Sequence, residues 1–218
     1  MIDDVSLQDL RVTAFHEAGH AVVARLLGIP INWIALEYIE QYKRWNGEHN
    51  ASFDSVIRDW MWDTLHLESK IPYDNLRFEY PTSPEPYQEY KKVRDRCTID
   101  YAGLVTQRLF YKRIGQEDSP KVSEGCSNDI DRATNRVQEE FQEQEAREKE
   151  LAYAESHAEK ILSNEIAWRM LEDLAEYMVN AITHGQKDAE EYGLTKKYWF
   201  TCQDIYASFV SSLRGNIK

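Results

Sequence analysis

The stretch Ala14-Phe15-His16-Glu17-Ala18-Gly19-His20-Ala21-Val22-Val23 constrains this chain more than any other. It contains H-E-x-x-H inside a run of small and apolar residues that continues through Leu26 and Leu27. On a helix, His16 and His20 stand one above the other on the same face. A helix this apolar is mostly buried. Two imidazoles and a carboxylate are costly in such a place unless something pairs them. One zinc ion would: both rings can ligate it, and Glu17 between them can reach a water beside the metal. The competing explanation is a chance match in a surface helix, and the buried setting argues against it.

Composition narrows the function classes. The chain has 218 residues, enough for one domain with a substantial insertion and a real core. It carries 26 Lys and Arg against 38 Asp and Glu, a net charge of -12. That excludes nucleic acid as the main partner, because phosphate binding needs a basic face. The three cysteines, Cys97, Cys126 and Cys202, form no C-x-x-C pair and make a poor disulfide framework. Free thiols in a reducing, cytoplasmic setting are the simplest expectation. Met1-Ile2-Asp3-Asp4-Val5 has neither the basic nor the apolar segment of a signal peptide. The most apolar window, 21–39, is broken by Arg25, Pro30, Asn32 and Glu37, so no membrane insertion is expected.

The periodicities predict a mainly α fold with a small β element. A helix is expected over 7–28, with Ser6 as its N-cap and Gly28 as its stop, then a strand over 31–39. Asn46-Gly47 and Asn50 read as a turn or loop within 43–53. An amphipathic helix is expected over 54–68 and an irregular Pro- and Tyr-rich connection over 69–87. Together, about 43–90 reads as an insertion or irregular region in one domain spanning 1–218. Helices follow over 88–113, from 127 or 128 to about 162, over 165–183, and over 202–213.

A catalytic zinc takes three protein ligands and keeps one position for water. A third histidine six residues after the second is ruled out, since that position is Leu26. On chemistry alone, Glu37, Glu40, His49, His66 and Asp129 remain. Asp129 lies in Gly125-Cys126-Ser127-Asn128-Asp129-Ile130-Asp131-Arg132-Ala133-Thr134, at a helix start. Residues of these types at that place also read as helix caps.

His16-Glu17-Ala18-Gly19-His20-Ala21 together with Gly125–Thr134 resembles the peptidase domain of the FtsH-type zinc metalloproteases. That family pairs H-E-A-G-H-A with a later G-A-S-N-D-I-x-x-A-T. Asp100–Leu109 is similar to its helix of the form G-G-R-A-A-E-E-L. The resemblance covers roughly 5–40 and 97–138, is weak over 155–210 and is absent over about 43–90. It implies an FtsH-peptidase-like zincin helical domain holding Zn2+ through His16, His20 and Asp129, with Glu17 as the base. Three departures stand out. Gln107 and Arg108 replace two glutamates. The run after Arg136 continues through Glu148 without the family's glycine. No G-x-x-x-x-G-K-[ST] phosphate loop occurs in these residues.

The expected function is therefore a zinc-dependent endopeptidase, independent of ATP in this chain, acting on peptides or unfolded protein. The strand at 31–39 is the expected place for strand addition by substrate. Three rivals are a non-catalytic module that binds a partner protein, a regulatory or switch protease, and a hydrolase of non-peptide amides. A homo-oligomer or a separate regulatory partner is compatible with each.

Overall fold

A computed structural model describes residues 4–51 and 85–214 of the chain. The expected helix over 54–68, most of the connection over 69–87, and His66 lie outside the described residues. The described part is mainly helical with one small antiparallel sheet, as the periodicities predict.

Helix α1 (Asp4–Leu26) is the spine. It is already under way at Ser6, so that residue is not its cap. Leu10, Ala14, Ala18, Ala21 and Val22 are wholly buried along it. The small residues let neighbours approach to backbone contact: a Cβ on Gly19 would meet Thr106 and the Ala102 carbonyl. α1 stops as expected at Gly28, which takes φ 75°. Ile29 N–H donates to Ala24 O at 2.8 Å and Gly28 N–H to Arg25 O at 3.1 Å, the paired bonds of a left-handed helix cap.

The sheet has the order β2-β1-β4-β3. β1 (Ile31–Ile39) is one of its two inner strands, with β2 (Arg44–Ala51) on one side and β4 (Thr195–Thr201) on the other. β3 (Glu190–Tyr192) closes a short hairpin with β4. Ile34, Leu36 and Phe200 point into the core from one face. Both sides of β1 are bonded, so the expected strand addition at 31–39 has no edge to use.

The loop expected over 43–53 is also corrected, because most of it is β2. The reversal falls earlier, where Tyr42 N–H donates to Ile39 O and Lys43 takes φ 49°. Trp45 then buries its ring near Tyr38 and Tyr198, and its backbone N–H donates to Asp9 Oδ2 at 2.7 Å. Gly47 is there for close approach rather than for a turn.

α2 (Glu85–Arg113) packs along α1 and along α4 (Gln144–Leu162). α3 (Ser127–Glu140) lies against α2 after a short 3-10 turn at Pro120–Ser123. The single helix expected from 127 to about 162 is two helices. The chain leaves the helix at Phe141, with φ -114° and ψ 127°, and re-enters at Gln144. This break lets Phe141 pack on the core while α4 lies along α2. α5 (Glu165–Thr183) is as expected and buries Trp168, Leu171, Leu174 and Met178. α6 (Cys202–Arg214) matches the last expected helix. Among the described residues, no helix is long and apolar enough to cross a membrane.

Candidate metal centre

His16 and His20 leave α1 one turn apart and meet Asp129, which the first turn of α3 carries. His16 Nε2 is 2.8 Å from Asp129 Oδ2, and His20 Nε2 is 3.3 Å from the same oxygen. The two Nε2 atoms are 3.0 Å apart. Three ligands at zinc-bond lengths of about 2.0–2.1 Å in a tetrahedron stand about 3.3 Å from one another. The donor set therefore fits a zinc ion, with two imidazoles, one carboxylate and all three buried.

The backbone makes the space. A Cβ on Gly103 of α2 would land on His16 and 2.6 Å from His20 Nε2. Only glycine leaves the meeting point of the two rings clear.

The outer partners orient the donors. His20 Nδ1 donates to Ile99 O at 2.6 Å, so in the neutral ring it is Nε2, on the Asp129 side, that has the lone pair to offer a metal. Arg132 bonds Asp129 Oδ1, leaving Oδ2 to face the histidines. Arg132 and Arg136 both reach the buried Asp100, through Nε at 3.4 and 3.0 Å. Behind His16 the partners are neutral. Gln107 Nε2 is 3.1 Å from His16 Nδ1, and Cys126 Sγ donates to Gln107 Oε1 at 3.5 Å. Were His16 to ligate through Nε2, its ring proton would sit on Nδ1, and the Gln107 amide would have to turn its oxygen there, giving up the Nε2–H bond to Glu124 O at 3.3 Å.

Burial would push both imidazoles down, but Asp129 with the Glu17 charge, helped by Cys126 at His16 and the Ile99 carbonyl at His20, outweighs it and raises both to about 9. Burial would raise Asp129, but His20 and His16 hold it far below the usual carboxylate range. Burial would raise Glu17 too, but the His49 bond together with the charges of His49, His16 and His20 outweighs it and keeps this carboxyl low. Burial and the nearby His20 charge push His49 below the ordinary histidine value.

Glu17 lies on the far side of His16 from Gln107. Its Oε1 is 3.9 Å from His16 Nε2, and its Oε2 is 2.9 Å from His49 Nδ1. Of the other expected candidates, Glu37 is on β1 opposite Lys197, and Glu40 is exposed beside Lys196. Neither joins the histidines. His49 reaches Glu17 rather than Asp129, a placement the turn reading of Asn46-Gly47 concealed. Its signal was the alternation of Trp45, Gly47 and His49, which puts all three on one strand face. Gly103 and Gln107 carried a signal too, since they sit four residues apart on a helix, on the side facing His16. Cys97 and Cys126 are buried free thiols and Cys202 is a half-buried one, so no disulfide supports the fold.

No family model matches the chain. The chain is similar to the ATP-dependent zinc metalloprotease FtsH of Pelobacter propionicus, with 26% identity over 189 residues. That match covers 81% of this chain and 24% of the FtsH protein, so the chain spans about a quarter of that relative's length. The similarity is distant, and it points to an FtsH-related family, with a zinc metalloprotease on one side and a buried set of candidate metal ligands on the other.

Proposed function

We propose that this chain is a zinc-dependent endopeptidase that holds its metal through His16, His20 and Asp129 and uses Glu17 as general base. The observation that carries the reading is the convergence of His16 Nε2, His20 Nε2 and Asp129 Oδ2 within 3.3 Å of one another, beside a buried carboxylate. A structural metal site needs ligands alone, whereas this one has an ionised Glu17 next to it that is not needed to bind the metal. When bound, zinc supplies Lewis acidity that polarises a peptide carbonyl and acidifies a water. Glu17 takes the proton of the attacking water and returns it to the leaving amine. Arg132 keeps Asp129 turned toward the histidines while this happens. The Ile99 carbonyl fixes the tautomer of His20.

Substrate would approach along β2 rather than β1. β2 stands at the end of the sheet and carries Gly47 and His49 against Glu17. Among the described residues nothing pairs with its outer side, so an extended peptide could add there through main-chain hydrogen bonds. That route suits peptides, flexible tails and unfolded chains, with no nucleotide required. A folded domain would first have to unfold, at a cost of about 5–15 kcal/mol.

Metal analysis with a peptide-library or casein assay tests the reading. The wild type should hold one zinc per chain and cleave without ATP. Glu17→Gln should keep the zinc and lose roughly 10²–10⁴-fold in rate, the range a general base contributes. An unchanged rate removes Glu17 from the mechanism. Loss of zinc in that variant would make Glu17 a structural residue instead.

A further inference from the structure

The Glu17 carboxylate divides its two oxygens between different neighbours. Oε1 faces the ligand atoms, 3.9 Å from His16 Nε2. Oε2 meets His49 Nδ1 at 2.9 Å. Both side chains are closed off from solvent, 4% exposed for Glu17 and 8% for His49, so water offers no competing partner. An ionised carboxylate can only accept, so Nδ1 of His49 carries the proton and donates. The ring that donates is itself held. It lies nearly flat on His20, with centroids 4.0 Å apart and planes 25° apart. Two residues earlier on the same strand face, Gly47 has no side chain to spare, since a Cβ there would enter the Glu17 carboxylate. β2 thus presents Glu17 with one residue that leaves space and one that bonds.

A glutamate reaches into a site through three rotatable bonds, and a base must sit within hydrogen-bond reach of the proton it takes. Without a second anchor, the carboxylate at this distance could swing onto the metal and fill the position that water needs. We infer that His49 is a positioning residue for the proposed base: its Nδ1–H binds Glu17 Oε2, leaves Oε1 turned toward the reacting water, and keeps the carboxylate off the metal. This rests on the reading of Glu17 as the base. His49 touches neither substrate nor metal in this role and acts only through Glu17.

The test compares three substitutions in the zinc-loaded chain and uses a readout independent of turnover. His49→Phe keeps a ring to stack on His20 but has no donor. It should lower kcat about 10–100-fold, within the 10²–10⁴-fold that a general base supplies in all. KM should move less than about threefold, and zinc should stay at one per chain. His49→Asn places an amide N–H at the same bond count from the backbone as Nδ1 and should restore most of kcat. A proton–nitrogen NMR spectrum of the wild type should show a slowly exchanging His49 Nδ1–H, in the metal-free and loaded forms alike, that Glu17→Ala removes. Wild-type kcat in His49→Phe, with Glu17→Gln inactive, would overturn the inference and leave the base standing. An active Glu17→Gln would overturn both. If His49→Phe fails to fold, the NMR signal decides: a His49 Nδ1 without a proton overturns the inference, as does a second zinc equivalent that disappears in His49→Asn.

Discussion

His16, His20 and Asp129 meet between helices, while Glu17 is met from its other side by a strand. The two halves of the centre are built to different tolerances. In the metal half, helical spacing fixes two donors, and the backbone of Gly103 marks the limit of the space. Charged partners then hold the third donor, through Arg132 and Asp100. In the base half, everything depends on the register of β2 against β1. His49 pairs with Ile34 and Gly47 with Leu36, which puts both on the face that meets α1. A slip of one residue would turn both away and bring Glu48 and Asn46 inward. Binding metal and activating water should therefore be separable by mutation.

The largest expected effect is in the metal half. Asp129→Ala should weaken zinc retention by more than the about 10–100-fold typical of outer partners. Asp131→Ala, at an exposed position two residues on, should leave it near wild type. Equilibrium dialysis with zinc would check this, and a stronger effect from Asp131 would break the assignment of the third ligand.

The glycines sharpen the contrast. Gly103→Ala should cost zinc affinity, because its Cβ enters the space of the two Nε2 atoms. Gly47→Ala should leave zinc in place and lower the rate, because its Cβ displaces the Glu17 carboxylate instead. A misplacement of about 1 Å can cost about 10²-fold. Measuring zinc content and kcat in both variants would show whether the halves separate. Parallel losses in both would mean that they do not.

A smaller effect follows from protonation. His16 and His20 are raised to about 9 without metal, so the protonated form gains most below their ordinary value of 6.5 and loses that advantage as pH passes about 9. Zinc needs both Nε2 atoms free of protons, and it competes with that form. Apparent zinc affinity should rise from about pH 6 to about 9, by up to about tenfold per unit for each proton displaced, and then level off. Zinc titrations at several pH values would measure the slope, and a flat profile would contradict the raised proton affinity of the two histidines.

The smallest effect lies away from the site. Thr201 and Asp204 cap α6 reciprocally: Thr201 N–H donates to Asp204 Oδ2 at 2.8 Å, and Asp204 N–H to Thr201 Oγ1 at 3.4 Å. Lys187 adds an ion pair to the same carboxylate at 2.7 Å. Asp204→Ala should cost about 1 kcal/mol of stability by urea unfolding. It should leave zinc content and kcat alone, which makes it the control for the variants above.

Much of the helical frame was legible because it rests on local periodicity. α1, β1, α5 and α6 follow from it closely. The strands β3 and β4 were not expected, although Tyr198, Trp199 and Phe200 after the turn at Gly193 carried a β signal. The break at Phe141 was missed for a related reason. The charged run from Glu139 to Glu148 looks like a continuous solvated helix, and only packing against α2 requires it to turn. Asp129 is the instructive case. Its residue type and place suited a helix cap, yet the cap position of α3 is Cys126 and no side chain bonds there. Asp129 is buried and turned to the histidines instead.

By itself the sequence determined the facing pair of His16 and His20 with Glu17 between them, because helix geometry sets that relation within five residues. Tertiary structure decided what lies opposite each of them. Asp129 is 113 residues from His16 and His49 is 32 from Glu17. Distances of that length along the chain are set by how helices pack and how strands register. A lone aspartate at a helix start, or a histidine after Asn-Gly, carries no local trace of the partner it will meet.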